Sequence, residues 1–394
     1  MRLQACVVAT LAMCAHALTW HDAATKAPQA LAQAVGGIRR EGFCIEGKIV
    51  PRLYVAGAMK TGTTTTFNYF MNANVTNPCP WGQLGKECSF FNAGLNEVHG
   101  LERMESWLRE MPSCPSAGVQ QVLGDFTPTY LNSVPSPKGT VLQGVVSGTR
   151  SMCLYHPRPA WCLAFEAHTA RSDDPSADAD ALSDMNAPRD IARSYGDLSR
   201  DLTFVILLRE PLSRMQSHWY FGRALNFEKA CTACSAASFA IALNSTAARY
   251  LNTSGPRVID DYMWPSMYAA QLRVWLEYFD PAQFVILPND YLNSHAQMTS
   301  FCEGLEERLD FPMDCEAFGQ GTVEHEKNTS PHLSLEEEPA SARAAFEEVI
   351  LPPLNSELFE LLASMRQQGA TLQGYMAQST ADAASVEKWL SDAW

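Results

Sequence analysis

Positive charge is scarce in this chain of 394 residues: 29 Lys and Arg stand against 43 Asp and Glu, a formal net charge of -14. That balance argues against a general nucleic-acid binder, which holds phosphate backbones with a basic surface that displaces counterions, but it leaves room for a local basic cleft. A long apolar run is missing from the N-terminus as well. The stretch from about Ala5 to Leu11 in MRLQACVVATLAMCAHALTW is shorter than the roughly 20 residues of a membrane-spanning helix. With an early Arg before it and Ala15-His16-Ala17 behind it as a small-x-small cleavage site, it reads as a signal peptide over residues 1–17, an uncleaved anchor being the alternative. There are no internal repeats. Cys231-x-x-Cys234 lacks the second CxxC or His pair that a zinc site needs, so it reads as a structural disulfide. The acidic stretch SDDPSADADALSDMNAPRD contains Pro175 and no turn-forming Gly, which favours a solvated loop over a calcium loop.

What is present describes a lumenal protein with a large core. Hydrophobic residues make up 46% of the chain, enough for one α/β domain with loops and a tail, and no second domain is evident. Of the 12 cysteines, Cys6 and Cys14 leave with the signal, and an even ten enter an oxidising compartment. Cys302/Cys315 and Cys153/Cys162 are close enough in sequence to close local loops, although connectivity does not follow from spacing. Sequons at Asn74, Asn244, Asn252 and Asn328 fit a glycosylated product of the secretory pathway. Residues 18–48 read as a stem and 49–366 as the folded body. A polar insertion at about 133–199 is mobile from Ser172 to Arg189, and the tail 367–394 is peripheral.

Within the body, LYVAGAMKTGTTTTFNYF (Leu53 to Phe70) reads as strand, loop and helix. Such a junction aims unpaired backbone N–H groups and the positive end of a helix dipole at one point, and here Lys60 adds a charge and Thr63 to Thr66 add hydroxyls. It is a seat for phosphate or sulfate. Leu202 to Leu208, LTFVILL, is the unbroken apolar run of a strand covered on both faces in a parallel sheet. Pro211 suits the first turn of the following helix, which places Arg209 at the carboxyl edge of the sheet, where ligands of open α/β sheets gather. Arg209 and Ser217 then meet a second anionic group, unless Arg209 only forms a surface salt bridge. Lys86-Glu87-Cys88-Ser89-Phe90-Phe91 sets a charged pair against two rings. It is either an exposed edge or a carboxylate kept basic by an apolar wall.

Further elements are expected at Val98 to Met111 (helix, with Leu101, Met104, Trp107 and Leu108 inward), Val119 to Leu123 (strand), Met267 to Phe279 (helix) and Phe284 to Leu287 (strand). Helices follow at about Ala340 to Ile350 and Leu354 to Met365. If the sheet is parallel, Asp125 lies at its active edge. The Cys-closed loop beyond residue 302 brings Lys327 and Ser330 over that edge as candidate nucleotide contacts.

Gly57-x-x-x-x-Gly62 has the glycine spacing of a P-loop NTPase. The next residue is Thr63, however, where the NTPase needs the Lys that reaches the β and γ phosphates, and LTFVILL ends in Arg-Glu, not in a magnesium-holding Asp. Three motifs in order instead resemble the Golgi sulfotransferases that use 3′-phosphoadenosine 5′-phosphosulfate (PAPS), most closely the glycosaminoglycan and related carbohydrate enzymes. Lys60-Thr61-Gly62-Thr63-Thr64 is similar to the family's 5′-phosphosulfate loop. Arg209-Glu210-Pro211 through Ser217 is similar to its 3′-phosphate motif, and Lys86-Glu87-x-x-Phe90-Phe91 to its catalytic-base segment. The resemblance spans Leu53 to Leu362 without the acidic insertion.

It implies a P-loop-like α/β fold with a central parallel sheet, PAPS as co-substrate and no metal. By the same resemblance, Lys60 stabilises the leaving phosphate oxygen and Glu87 is the general base. The backbone of Thr61 to Thr64 holds the 5′-phosphate, and Arg209 and Ser217 hold the 3′-phosphate. The implied partner is a hydroxyl of a glycan in the Golgi lumen or outside the cell. A catalytically silent lumenal protein that binds glycans or nucleotides is the alternative. The sequence departs from the family at Phe126, where a Lys is expected before Thr-Pro, and around Asn328 and Ser330, where basic residues are expected. Both departures remove positive charge near the acceptor and point to a glycan less anionic than heparan.

Overall fold

The computed structural model describes residues 43–79, 86–93, 100–116, 119–138, 140–143, 185–224, 237–252, 257–260, 262–319, 334–375 and 381–394. The chain enters through an antiparallel hairpin, β1 (Cys44–Ile45) and β2 (Lys48–Ile49), a few residues before the body was expected to begin. β3 (Leu53–Gly57) runs through a tight loop into α1 (Thr63–Asn72), and α2 (Gly100–Glu110) precedes β4 (Gly124–Asp125). Then come β5 (Thr140–Gln143), α3 (Ala187–Tyr195), β6 (Thr203–Leu208), α4 (Pro211–Ala224), α5 (Phe239–Tyr250) and β7 (Arg257–Asp260). α6 (Tyr268–Trp275), β8 (Phe284–Pro288), α7 (His295–Leu309), α8 (Ala340–Ala344), α9 (Leu351–Gln367), β9 (Thr371–Leu372) and α10 (Ala383–Ser391) complete the described chain.

Five strands form the central sheet in the order β4-β3-β6-β8-β9, every pairing parallel. The fold is therefore α/β with helices on both faces of a parallel sheet. Because successive side chains of a strand point to opposite faces, one apolar run feeds two cores. Tyr54, Ala56, Phe204, Ile206, Leu208, Phe284 and Ile286 enter one, and Leu53, Val55, Val205, Leu207, Val285 and Leu287 enter the other. All six residues of β6 are buried, as expected of a strand covered on both sides. The chain leaves β3 toward β4 on one side and later returns to β6 on the other. The crevice beyond the carboxyl end of β3 is thus a topological switch point.

Several expectations are corrected. The second parallel strand is Gly124–Asp125, not Val119 to Leu123, and Val119 is 58% exposed. The polar insertion ends earlier than residue 199. Asn186 caps α3 by accepting from the Arg189 N–H, and Ile191 and Tyr195 lie in the core, so 185–189 belong to the ordered body. The tail is not peripheral. β9 pairs with β8 through Val285 and Ile286, and Val386 and Leu390 of α10 are buried in the larger core.

Disulfides join Cys302 to Cys315, as spacing suggested, and also Cys44 to Cys114 and Cys79 to Cys88. The signal peptide, most of the stem, Cys153, Cys162, Cys231, Cys234, Asn328, Lys327 and Ser330 lie outside the described residues. Among the described residues no helix is long and apolar enough to cross a membrane.

Candidate functional site

The loop between β3 and α1 turns at Lys60 and Gly62, both with positive φ (69° and 92°). At Gly62 a Cβ would stand 2.3 Å from Leu292 Cδ1 and 3.0 Å from the Asn289 amide nitrogen, so only glycine fits. Asn289, directly after β8, donates to the Thr61 carbonyl at 2.8 Å and ties the loop to a strand two places away. The hydroxyl of Thr61 donates to the Ala58 carbonyl and that of Thr66 to the Gly62 carbonyl. The Thr66 hydroxyl is spent within the first turn of α1, which corrects the expectation that Thr63 to Thr66 all add hydroxyl donors to the anion seat. Thr63 is buried and Thr64 exposed. No side chain caps the start of α1 and its first turn carries no acid, so an anion meets backbone N–H groups there.

Arg209 follows β6 at the neighbouring edge, and α4 begins at Pro211 as expected. Its guanidinium donates from Nη1 to the Lys60 carbonyl at 3.3 Å, so the two motifs, 149 residues apart, form one cradle. Tyr268 holds the Arg209 backbone, donating to its carbonyl at 2.9 Å and accepting from its N–H at 3.4 Å. The face of α4 made by Arg214, Ser217, His218 and Phe221 (i, i+3, i+4, i+7) turns to the loop. Arg214 reaches the Met59 carbonyl at 3.3 Å and Phe221 carries the Lys60 ammonium 4.0 Å from its ring centroid. Ser217 is half-buried on this face.

Sequence reasoning assigned no role to Arg214. It is fully buried and also donates to Ser266 and to the Tyr262 carbonyl, so it clamps the loop rather than facing solvent. Its spacing within the helix was the available signal; its partners come from elements far along the chain.

The electrostatics follow from this crowding. Burial, then Arg209, Lys86 and Arg214, lower the Lys60 ammonium from its ordinary 10.5 to about 8. Burial also lowers Arg209, and it holds His218 well below its ordinary value, helped by Arg214 and Lys60. Lys60 and Arg209 are thus desolvated cations side by side, an arrangement that a bound anion would relieve.

Beside it lies the charged pair. Lys86 and Glu87 are 1% and 6% exposed and joined at 3.0 Å, which rules out the exposed-edge reading. Phe90 and Phe91 behind them pack on Trp107, with Phe90 stacked at 5.1 Å. Lys86 enters the site beyond its place next to Glu87, through its burial and its effect on Lys60. Phe126 is fully buried against Phe67 and Phe70 in the second core, so the position where a Lys was expected does not face the site at all. Asp125 is buried under the Lys86–Phe91 segment. Burial, opposed by hydrogen bonds from Thr127, Tyr130 and Cys88, pushes its carboxyl from 3.8 up to about 7.

No family model matches the chain, and no curated protein does. Among solved structures, the crystal structure of a sulfotransferase from Alicyclobacillus acidocaldarius is similar over 81% of this chain and 94% of that one. The match has 14% identity and a TM-score of 0.35.

Proposed function

We propose that this chain transfers a sulfuryl group from PAPS to a hydroxyl of a glycan acceptor in the lumen of the secretory pathway. The observation that carries the reading is the joining of Lys60 and Arg209 across two sheet edges, with the buried Lys86–Glu87 pair beside them. The residues suit a nucleotide with anions at both ends. The uncapped start of α1 offers backbone N–H groups to a 5′-phosphosulfate, and Arg209 offers a fork, with the Ser217 hydroxyl, to a 3′-phosphate. When bound, PAPS supplies an activated sulfur whose bond to the 5′-phosphate oxygen breaks as the acceptor oxygen bonds to it, the electron pair leaving on that phosphate. Glu87 takes the acceptor proton, and the ammonium of Lys60 faces the oxygen on which charge accumulates. Oxyanion stabilisation of this kind is worth about 3 kcal/mol per donor in a water-poor site.

Three disulfides among the described residues support the lumenal address, as do the exposed sequon residues Asn74, Asn244 and Asn252. The acidic net charge supports an acceptor less anionic than heparan.

The test is transfer of labelled sulfate from PAPS to a panel of glycans by wild type and by Glu87→Gln. Product from wild type and its loss in Glu87→Gln, with affinity for the desulfated product PAP retained, supports the enzyme. A wild type that binds PAP and sulfates nothing supports the silent binding protein. One that binds neither nucleotide refutes the site.

A further inference from the structure

The backbone of the segment that carries Glu87, anchored on one side by the Cys79–Cys88 disulfide, donates to side chains of one short stretch that begins at Asp125. The N–H of Ser89 donates to Thr127 Oγ1 at 2.9 Å, and those of Phe90 and Phe91 donate to the Tyr130 hydroxyl at 2.9 and 3.5 Å. Both hydroxyls turn their own protons to one carboxylate: Thr127 to Asp125 Oδ1 at 2.6 Å and Tyr130 to Asp125 Oδ2 at 2.9 Å. The Cys88 N–H, next to Glu87, reaches Oδ1 directly at 3.4 Å. Further out, Asn92 donates to Thr129 Oγ1 at 2.7 Å, and the one Ser133 hydroxyl hydrogen has both the Thr129 carbonyl at 2.8 Å and Asn92 Oδ1 at 3.0 Å as acceptors. Asp125, Thr127 and Tyr130 are fully buried, so no water competes for these bonds.

The direction of the network is fixed by counting protons. A hydroxyl has one hydrogen to give. It accepts cleanly from a backbone N–H when that hydrogen has an acceptor of its own, and here both hydrogens converge on Asp125. An ionised carboxylate, the form Asp125 takes above about pH 7, is the side chain of this size that accepts at both ends. An amide in its place turns an NH2 toward one hydroxyl, whose proton then has nowhere to go.

We infer that Asp125 is a positioning residue for the reaction proposed above: it orients the Thr127 and Tyr130 hydroxyls to grip the backbone of Ser89 and Phe90, and so fixes where the Glu87 carboxylate meets the acceptor. This rests on the reading of Glu87 as base. Asp125 itself touches no substrate. It works at the carboxyl edge of β4, the edge strand beside β3, where the switch-point crevice also lies.

The experiment compares wild type, Asp125→Asn and Tyr130→Phe by three measurements: sulfate transfer from PAPS, PAP affinity by calorimetry, and hydrogen exchange of the Ser89 and Phe90 amides. In both variants kcat is expected to fall at least tenfold, with KM for PAPS and the PAP Kd within twofold of wild type. The Phe90 amide is expected to exchange at least tenfold faster in both, and the Ser89 amide also in Asp125→Asn, while β6 amides keep their protection. A wild-type kcat in Asp125→Asn, unchanged exchange at both amides, or equal losses of kcat and PAP affinity overturns the inference. Should Asp125→Asn not fold, Tyr130→Phe, which removes an acceptor and leaves the carboxylate, decides it alone. A wild type that binds no PAP overturns the function proposed for the site instead, and the exchange data still show whether Asp125 holds the segment.

Discussion

Replacing Lys60 by Met is expected to stabilise the protein while abolishing its activity. Burial first, and then the neighbouring Arg209, Lys86 and Arg214, lower the ammonium from 10.5 to about 8. At about 1.4 kcal/mol per pH unit this is a destabilisation of the charged folded form of roughly 3 kcal/mol, a ceiling because water still reaches the side chain. Met keeps the apolar stem and removes the charge. It also forfeits the contact with the Phe221 ring, about 1 kcal/mol, leaving a net gain of about 2 kcal/mol at pH 7. The sign in pH follows from linkage. Below pH 8 both folded and unfolded states carry the proton, and wild type bears the whole penalty. Between 8 and 10.5 the unfolded chain binds more protons than the folded one, so wild-type stability rises with pH relative to the variant.

Urea unfolding of both proteins with disulfides intact, at pH 7 and pH 9.5, measures the gap. It is expected to be largest at pH 7 and to shrink by pH 9.5. A Lys60→Met protein no more stable than wild type at pH 7, or a gap that does not change with pH, refutes the reasoning. The same linkage makes PAP binding by wild type take up a proton near pH 8.5, visible as a buffer-dependent calorimetric enthalpy.

Arg209→Ala should weaken PAP by about 10- to 100-fold, the loss of a charge-assisted fork of about 1.5–3 kcal/mol, and leave a nucleotide without the 3′-phosphate nearly unaffected; equal losses in parallel titrations would sink the assignment. Gly62→Ala meets Leu292 and Asn289 at a positive φ, costing at least about 1–2 kcal/mol, and should weaken both nucleotides alike in those titrations; an unchanged affinity for both would count against the loop. Phe126→Lys should not supply a second cation but unfold the domain, since it buries a charge where truncation alone costs about 3–5 kcal/mol; native near-ultraviolet circular dichroism would refute this. Truncation after Gln367 removes β9 and α10 and should leave no cooperative thermal transition, an unaltered melting curve being the contrary result.

The parts of the fold legible in the sequence are those whose signal is local. LTFVILL announces a strand covered on both faces by itself, and the glycines and Lys60 between Leu53 and Phe70 announce an anion loop by type and order. Where partners are distant the signal fades. β9 has two residues, too few for any period, and is a strand only because Val285 and Ile286 lie beside it. Cys302–Cys315 closes a loop of 13 residues and could be guessed, whereas Cys44–Cys114 spans 70. Arg214 stood in plain view within the motif after β6. Its burial and its bonds to Met59, Tyr262 and Ser266 belong to tertiary structure. The same holds for Lys86, whose charge was visible and whose burial was not.

Both junctions of the cradle run from a sheet strand into a helix, yet they would meet an anion differently. At α1 the helix start is uncapped, so its backbone N–H groups remain for a ligand. At α4 the Glu210 carboxylate already takes the N–H groups of Leu212 and Ser213, at 2.9 and 2.6 Å. A carboxylate seated there closes that helix start to a phosphate, so under the proposed function a 3′-phosphate would rely on the side chains of Arg209 and Ser217. On the proposed function, backbone recognition at one edge would tolerate little substitution, because it depends on the loop geometry that Gly62 sets. Side-chain recognition at the other edge would be removable one group at a time, Arg209 giving up with it a single 3.3 Å hydrogen bond to the Lys60 carbonyl. That difference is why Gly62→Ala and Arg209→Ala should separate the two ends of one nucleotide. With the α4 start taken by its own carboxylate and Lys86 paired to Glu87, the proposed site relies on Lys60 and Arg209 for the charge that would draw an anionic nucleotide into an otherwise acidic protein.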